Sequence, residues 1–160
     1  MNRMHELLQN LADRNLTLGT VESVTGGLFA AKATEVAGAS NVFKGAVVSY
    51  TVPVKAALLG IDPEFIKNND VVSEAVAAEM ARKGRAVLGA DVVLSVTGNA
   101  GPTAEPGKAE VGVVCFALAT KDGVWALRYK FEGERNSIRA QAVDMMVSFA
   151  LSSFPKVEKK

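Results

Sequence analysis

Apolar positions along the chain recur with two periods that alternate. Met4, Leu7, Leu8 and Leu11 fall on one helical face. Leu16 to Glu22 then reads as a strand, and Thr25-Gly26-Gly27 opens a helix predicted to run through about Ala37, where Gly38-Ala39-Ser40 stops it. Gly45 to Tyr50 is a short apolar strand, followed by helical turns near Pro53 to Leu59 and Asp62 to Asn68. Ser73 is a good N-cap for a helix that places Val76, Met80 and Val87 on one stripe. Asp91 to Thr97 reads as a buried strand, and a long Gly/Pro loop runs from Gly98 to Glu110. Val111 to Thr120 and Val124 to Phe131, joined by Lys121-Asp122-Gly123, form an antiparallel hairpin. A last helix from about Glu134 to Phe154 buries Ile138, Ala142, Met145 and Phe149, with Pro155 beyond its end.

Alternating helix and strand periods predict a layered α/β domain, and 160 residues fit one such unit, residues 1–160. The strand ending at Glu22, its helix and the strand ending at Tyr50 form a βαβ unit, so the strands should be parallel and the crossover right-handed. If the strand ending at Thr97 is parallel too, three loops meet at one sheet edge: 23–27, 50–55 and 98–110. Ligands of open α/β sheets bind at that edge.

Composition narrows the function classes. The 18 basic and 17 acidic residues are interspersed, apart from the Lys159-Lys160 tail, so no nucleic-acid footprint is expected. No apolar run approaches the roughly 20 residues of a membrane span, and the start MNRMHELLQN has no signal-peptide hydrophobic region. The expectation is a cytoplasmic protein without membrane contact. Cys115 is the only cysteine, which rules out an internal disulfide; in the run Val111 to Ala119 it should be a buried structural thiol. With one cysteine and one histidine, His5, a His/Cys zinc site is excluded, and no metal is expected.

A hydrolytic site on that edge therefore needs a nucleophile activated without metal or nearby histidine. A serine with a lysine base is the natural candidate. Ser23 supplies the hydroxyl, and Lys55 can accept its proton if burial or nearby positive charge lowers its pKa. Tyr50 could orient the pair or relay a proton. Thr25-Gly26-Gly27 offers backbone N–H groups at a helix N-terminus, suited to an oxyanion or phosphate. Each residue also has an ordinary reading: Ser23 or Thr25 as a helix cap, Lys55 as a solvated surface lysine, and Tyr50 as a strand end with its hydroxyl in water. Gly98 to Pro102 reads equally as turn chemistry, and Arg135 and Arg139, one turn apart, as exposed helix residues. Their common placement on one predicted edge favours a site.

The same residues carry a family resemblance. Glu22-Ser23-Val24-Thr25-Gly26-Gly27 resembles the motif ESCTGG, and Tyr50-Thr51-Val52-Pro53-Val54-Lys55 resembles YSNEAK. Val72-Ser73-Glu74 matches VSE, Ser95 to Pro102 is similar to SxSGIAGP, and Phe131 to Arg139 resembles FxGDRxxVR. In this order and spacing they resemble the CinA C-terminal domain family, which includes the nicotinamide-nucleotide amidohydrolases (PncC-like).

The resemblance implies a three-layer α/β/α sandwich with a mixed, mostly parallel sheet. It also implies removal of ammonia from the carboxamide of nicotinamide mononucleotide to give nicotinate mononucleotide, without a cofactor. Carried over by position, Ser23 is the nucleophile, Lys55 its general base and Tyr50 a supporting residue. Thr25, Gly26 and Gly27 contribute donors, and Thr97, Gly98, Asn99, Ala100 and Gly101 line the pocket. Arg135 or Arg139 meets the nucleotide phosphate, and a homo-oligomer is expected. The chain departs from the family pattern at Val24, Val52-Pro53, Asn99 and Thr103 to Lys108. These positions motivate a second expectation, a catalytically silent relative that binds nucleotides or acts as an accessory.

Overall fold

A computed structural model describes residues 2–158; the Lys159-Lys160 tail lies outside them. Five strands carry the fold: β1 Leu18–Glu22, β2 Phe43–Val48, β3 Val92–Gly98, β4 Val113–Thr120 and β5 Gly123–Lys130. They lie in the order β2-β1-β3-β4-β5. β1 pairs in parallel with both β2 and β3, while β3–β4 and β4–β5 are antiparallel. Four strands thus point one way and β4 opposes them.

The helices are α1 Arg3–Ala12, α2 Leu28–Ala33, α3 Val52–Leu59, α4 Pro63–Asn69, α5 Glu74–Leu88 and α6 Arg135–Ser153. They split between the two sheet faces and so bury β1, β3 and β4 on both sides, while the edge strands β2 and β5 stay partly exposed. Along β4, Val114, Phe116 and Leu118 pack into the core with α1, α2 and α6. Cys115, Ala117 and Ala119 face the core that contains α5. The α/β/α layering and mixed sheet expected from the sequence are present. Burial also pushes the Cys115 thiol up to about 11, as suits a structural residue.

Three helix details differ from the periodicity. α2 stops at Ala33 because the Thr34 hydroxyl donates to the carbonyls of Ala30 and Ala31 and the next turns loosen. Val87 is 52% exposed. Its side of α5 is covered near Val76 by Leu59 of α3 and Ile66 of α4, which share that core, and these do not extend to the last turn. On α6 the buried stripe runs through Ile138, Ala142, Val143, Met146, Val147 and Ala150, leaving Met145 and Phe149 half-buried, because α6 packs on α1 and α2 as well as the sheet.

The approach of α5 to the sheet depends on Gly84. A Cβ there would sit 2.4 Å from Val21 Cγ2 and 3.0 Å from Val93 Cγ1. Gly84→Ala is therefore expected to lose about 1–3 kcal/mol through overpacking, outweighing a helix-propensity gain of up to about 1 kcal/mol. Urea denaturation measures it; a more stable variant would show that the helix rides higher above the sheet.

Candidate active site

Because β1, β2 and β3 are parallel, their C-terminal ends bring residues 23–27, 49–55 and 98–101 together. Backbone bonds fix the junction: the Ser23 N–H donates to the Val96 carbonyl, and the Ser49 N–H to the Glu22 carbonyl. Thr51 then turns the chain into α3, with Pro53 in the first helical turn, where a missing N–H costs nothing. One turn into that helix stands Lys55.

Lys55 is fully buried, and its Nζ lies 2.9 Å from Ser23 Oγ, 2.6 Å from the Ser49 carbonyl and 3.4 Å from the Tyr50 carbonyl. It makes no salt bridge among the described residues. Burial lowers its pKa to about 8. The reading of Lys55 as a surface lysine is thereby overturned. A neutral amine has two N–H groups and one lone pair: the two carbonyls can take the former, leaving the lone pair for the Ser23 hydroxyl. Ser23 is 7% exposed and borders a cleft of about 240 Å³ shared with Val72, Thr97, Asn99, Ala100 and Arg135.

The loop after β1 is held from below by Glu22, the first letter of the Glu22 to Gly27 motif. Glu22 is fully buried, and its carboxylate accepts four hydrogen bonds. Thr25 Oγ1 (2.7 Å) and the Phe29 N–H (3.0 Å) meet Oε1; Thr20 Oγ1 (3.0 Å) and the Ala30 N–H (3.1 Å) meet Oε2. The amides of Phe29 and Ala30, in the first turn of α2, are filled by this carboxylate. The Gly26 N–H is also spent, on the Ser23 carbonyl. The amides of Val24, Thr25 and Gly27 have no hydrogen bond among the described residues and remain as donors. Gly26 and Gly27 hold left-handed backbone, φ 59° and 100°.

The arginines are also engaged. Arg139 donates through Nε to the Val24 carbonyl at 3.1 Å and through Nη2 to the Thr25 carbonyl at 2.9 Å, so it clamps the loop beside Ser23. Arg135 donates to the Gly101 carbonyl and, at 3.0 Å, to Tyr50 Oη. The Tyr50 ring is 55% exposed, so its hydroxyl stands at the rim while its carbonyl reaches Lys55. Thr97 Oγ1 donates to the Val71 carbonyl, tying β3 to the segment before α5. Asn99 folds the following loop by donating to the carbonyls of Thr103 and Ala109 and accepting from the Gly101 N–H. A second cleft of about 480 Å³ adjoins the first across Val71, Val72, Gly98 and Asn99, and extends to Asp70 and Lys108, which form an ion pair at 2.8 Å.

The CinA C-terminal domain matches residues 2–154. The chain belongs to this family. A CinA-like protein of Flavobacterium psychrophilum is 41% identical over 150 residues, covering 91% of this chain and 36% of that protein. A CinA-like protein of Geobacter sulfurreducens is 42% identical over 127 residues, covering 79% and 31%. The chain spans about a third of the length of these curated relatives. Among solved structures, a CinA superfamily protein of Escherichia coli superposes with a TM-score of 0.92 at 29% identity, covering 95% of this chain and 88% of that one. Another, from Klebsiella pneumoniae, gives 0.90 at 28% identity, covering 96% and 98%. The CinA architecture therefore extends across nearly the whole chain. No helix among the described residues is long and apolar enough to cross a membrane.

Proposed function

We propose that this CinA domain is an amidohydrolase that converts the carboxamide of nicotinamide mononucleotide to the carboxylate, releasing ammonia, by a Ser23/Lys55 mechanism. The observation that carries the reading is the buried Lys55 amine, 2.9 Å from the Ser23 hydroxyl and without a carboxylate partner among the described residues. Such an amine is a base tuned towards neutrality rather than a surface charge. Residues 1–160 act as one domain in this reading, with a homo-oligomer as the expected assembly.

Ser23 Oγ attacks the carboxamide carbon while its proton passes to Lys55 Nζ. The resulting ammonium returns that proton to the departing nitrogen, the C–N bond breaks and ammonia leaves. Water then attacks the Ser23 ester, giving one proton to Lys55, which passes it to Ser23 Oγ as the ester C–O bond breaks; the second water proton ionises from the nicotinate carboxyl to solvent, where the released ammonia takes it up. The free amides of Val24, Thr25 and Gly27 are the available donors for the oxyanion. Arg135, which borders the cleft, is the better phosphate partner; Arg139 serves as the loop clamp.

Because the base is the neutral amine, kcat/KM for ammonia release should rise with pH and level off above an inflection near 8. Below the inflection Lys55 is protonated and cannot accept the serine proton, so the rate falls about tenfold per unit. A flat profile between pH 6 and 9 would remove Lys55 from the role of base.

A further inference from the structure

Two shortfalls in hydrogen bonding lie next to each other beside Ser23. Ser49 is fully buried, and its Oγ has no partner among the described residues. A buried hydroxyl left in this way costs roughly 1–3 kcal/mol, so it calls for an explanation. The other shortfall belongs to Lys55. As an ammonium it has three N–H groups: two meet close acceptors, the Ser49 carbonyl at 2.6 Å and Ser23 Oγ at 2.9 Å, and the third has only the long 3.4 Å bond to the Tyr50 carbonyl.

Strand geometry sets the two groups on the same side. Val47 of β2 packs into the core that contains α5, and Ser49, two residues on in a chain still bonded to β1, presents its side chain to that face. Lys55 enters from α3, which packs against α5 on the same face. The Ser49 carbonyl touches Nζ, while its hydroxyl makes no hydrogen bond to Nζ in the rotamer present and approaches it only by turning about χ1.

We propose that Ser49 is a positioning residue for Lys55, its hydroxyl rotating to accept the third N–H of the lysine when the amine is protonated. With the neutral amine, which has only two N–H groups, that demand disappears and the hydroxyl returns to the unpaired rotamer. The group thereby stabilises the charged lysine and sets where it gives up its proton. The charged groups on the surrounding elements are Glu22 on β1, Lys44 on β2, Glu64 and Lys67 on α4, Glu74, Glu79, Arg82, Lys83 and Arg85 on α5, and Arg135, Arg139 and Asp144 on α6. Glu22 is held by its four donors, Arg135 by Gly101 and Tyr50, and Glu79 by Arg82. Lys44, Glu64, Lys67 and Glu74 are exposed. None makes an ion pair with Lys55.

The test is a titration of the Lys55 side chain by NMR, using 13Cε and Hε shifts, in wild type, Ser49→Ala and Ser49→Thr. Thermal melting at a pH above the Lys55 midpoint verifies folding, which the alanine should not weaken there because it removes a hydroxyl left unpaired beside the neutral amine. Ser49→Ala is expected to move the Lys55 midpoint down by about half a unit or more, and Ser49→Thr to restore it. The acid limb of kcat/KM should follow the same shift. Coincident titrations of wild type and Ser49→Ala, or an upward shift, would overturn the proposal. The kinetic arm rests on the amidohydrolase reading and the NMR arm does not. A shifted titration in a protein that releases no ammonia would therefore uphold the role of Ser49 and reject only that reading.

Discussion

Lys55→Met is expected to abolish turnover by at least about a thousandfold and yet to leave the protein as stable as wild type or more so. Methionine has nearly the length and volume of the lysine stem, so the packing of α3 on α5 is kept. What disappears is a buried amine that must be desolvated with no carboxylate to offset the cost. The carbonyls of Ser49 and Tyr50 lose a donor, which takes back part of the gain, so the net change should lie between zero and about 2 kcal/mol in favour of the variant. The pH dependence gives the sign an independent check. The folded-state pKa of Lys55 is about 8 and its unfolded value 10.5, so between these pH values the unfolded chain binds more protons. Wild-type stability should rise with pH through that window relative to Lys55→Met, and the gap between them should close. Urea denaturation at pH 7 and pH 10 measures both terms. A methionine variant several kcal/mol less stable at both would mean that the lysine is held by interactions stronger than those described.

Glu22→Gln should be more damaging than its conservative appearance suggests. The carboxylate is acceptor-only and receives two hydroxyls and two backbone N–H groups. A glutamine amide replaces one oxygen with a donor. The hydroxyls of Thr20 and Thr25 can turn to accept from it, but the N–H of Phe29 or Ala30 cannot, so either orientation leaves two donors facing each other. The expected loss is about 2–4 kcal/mol, with Glu22→Ala at or beyond the upper end. Since the same carboxylate holds the loop through Thr25 and the start of α2, kcat/KM should fall at least about tenfold in whatever fraction remains folded. A glutamine variant within about 0.5 kcal/mol of wild type would contradict the four-donor arrangement.

The order of elements was legible from periodicity, and the βαβ rule brought two strand ends to one edge; the third depended on the strand ending at Thr97 being parallel as well, which its pairing with β1 supplies. Ser23 and Lys55 became candidates because one histidine and one cysteine left few ways to activate a nucleophile, but their pairing as nucleophile and base rested on the resemblance to the CinA motifs. What could not be read was the environment of each. Lys55 sits on a helix of only eight residues, VPVKAALL, whose alanines and valines give no sharp polar face, so neither its burial nor its direction was encoded in a pattern. Glu22 carried a readable signal, a charge at the end of a strand expected to be buried and just before a helix start, but that signal names a cap only when α2 is known to begin at Leu28. Ser49 carried none. The arginines illustrate the opposite case: their spacing put both near the site, while their use of backbone carbonyls as partners depends on how residues 24, 25 and 101 fold.

The most direct measurement of the central claim is ammonia and nicotinate mononucleotide formation from nicotinamide mononucleotide at pH 8 by the purified wild type and Ser23→Ala side by side. The account predicts equimolar products from the wild type and at least a thousandfold loss in the variant, roughly 4 kcal/mol of transition-state stabilisation. Equal rates in the two proteins, or calorimetric binding of the mononucleotide by the wild type with no product after long incubation, would contradict it.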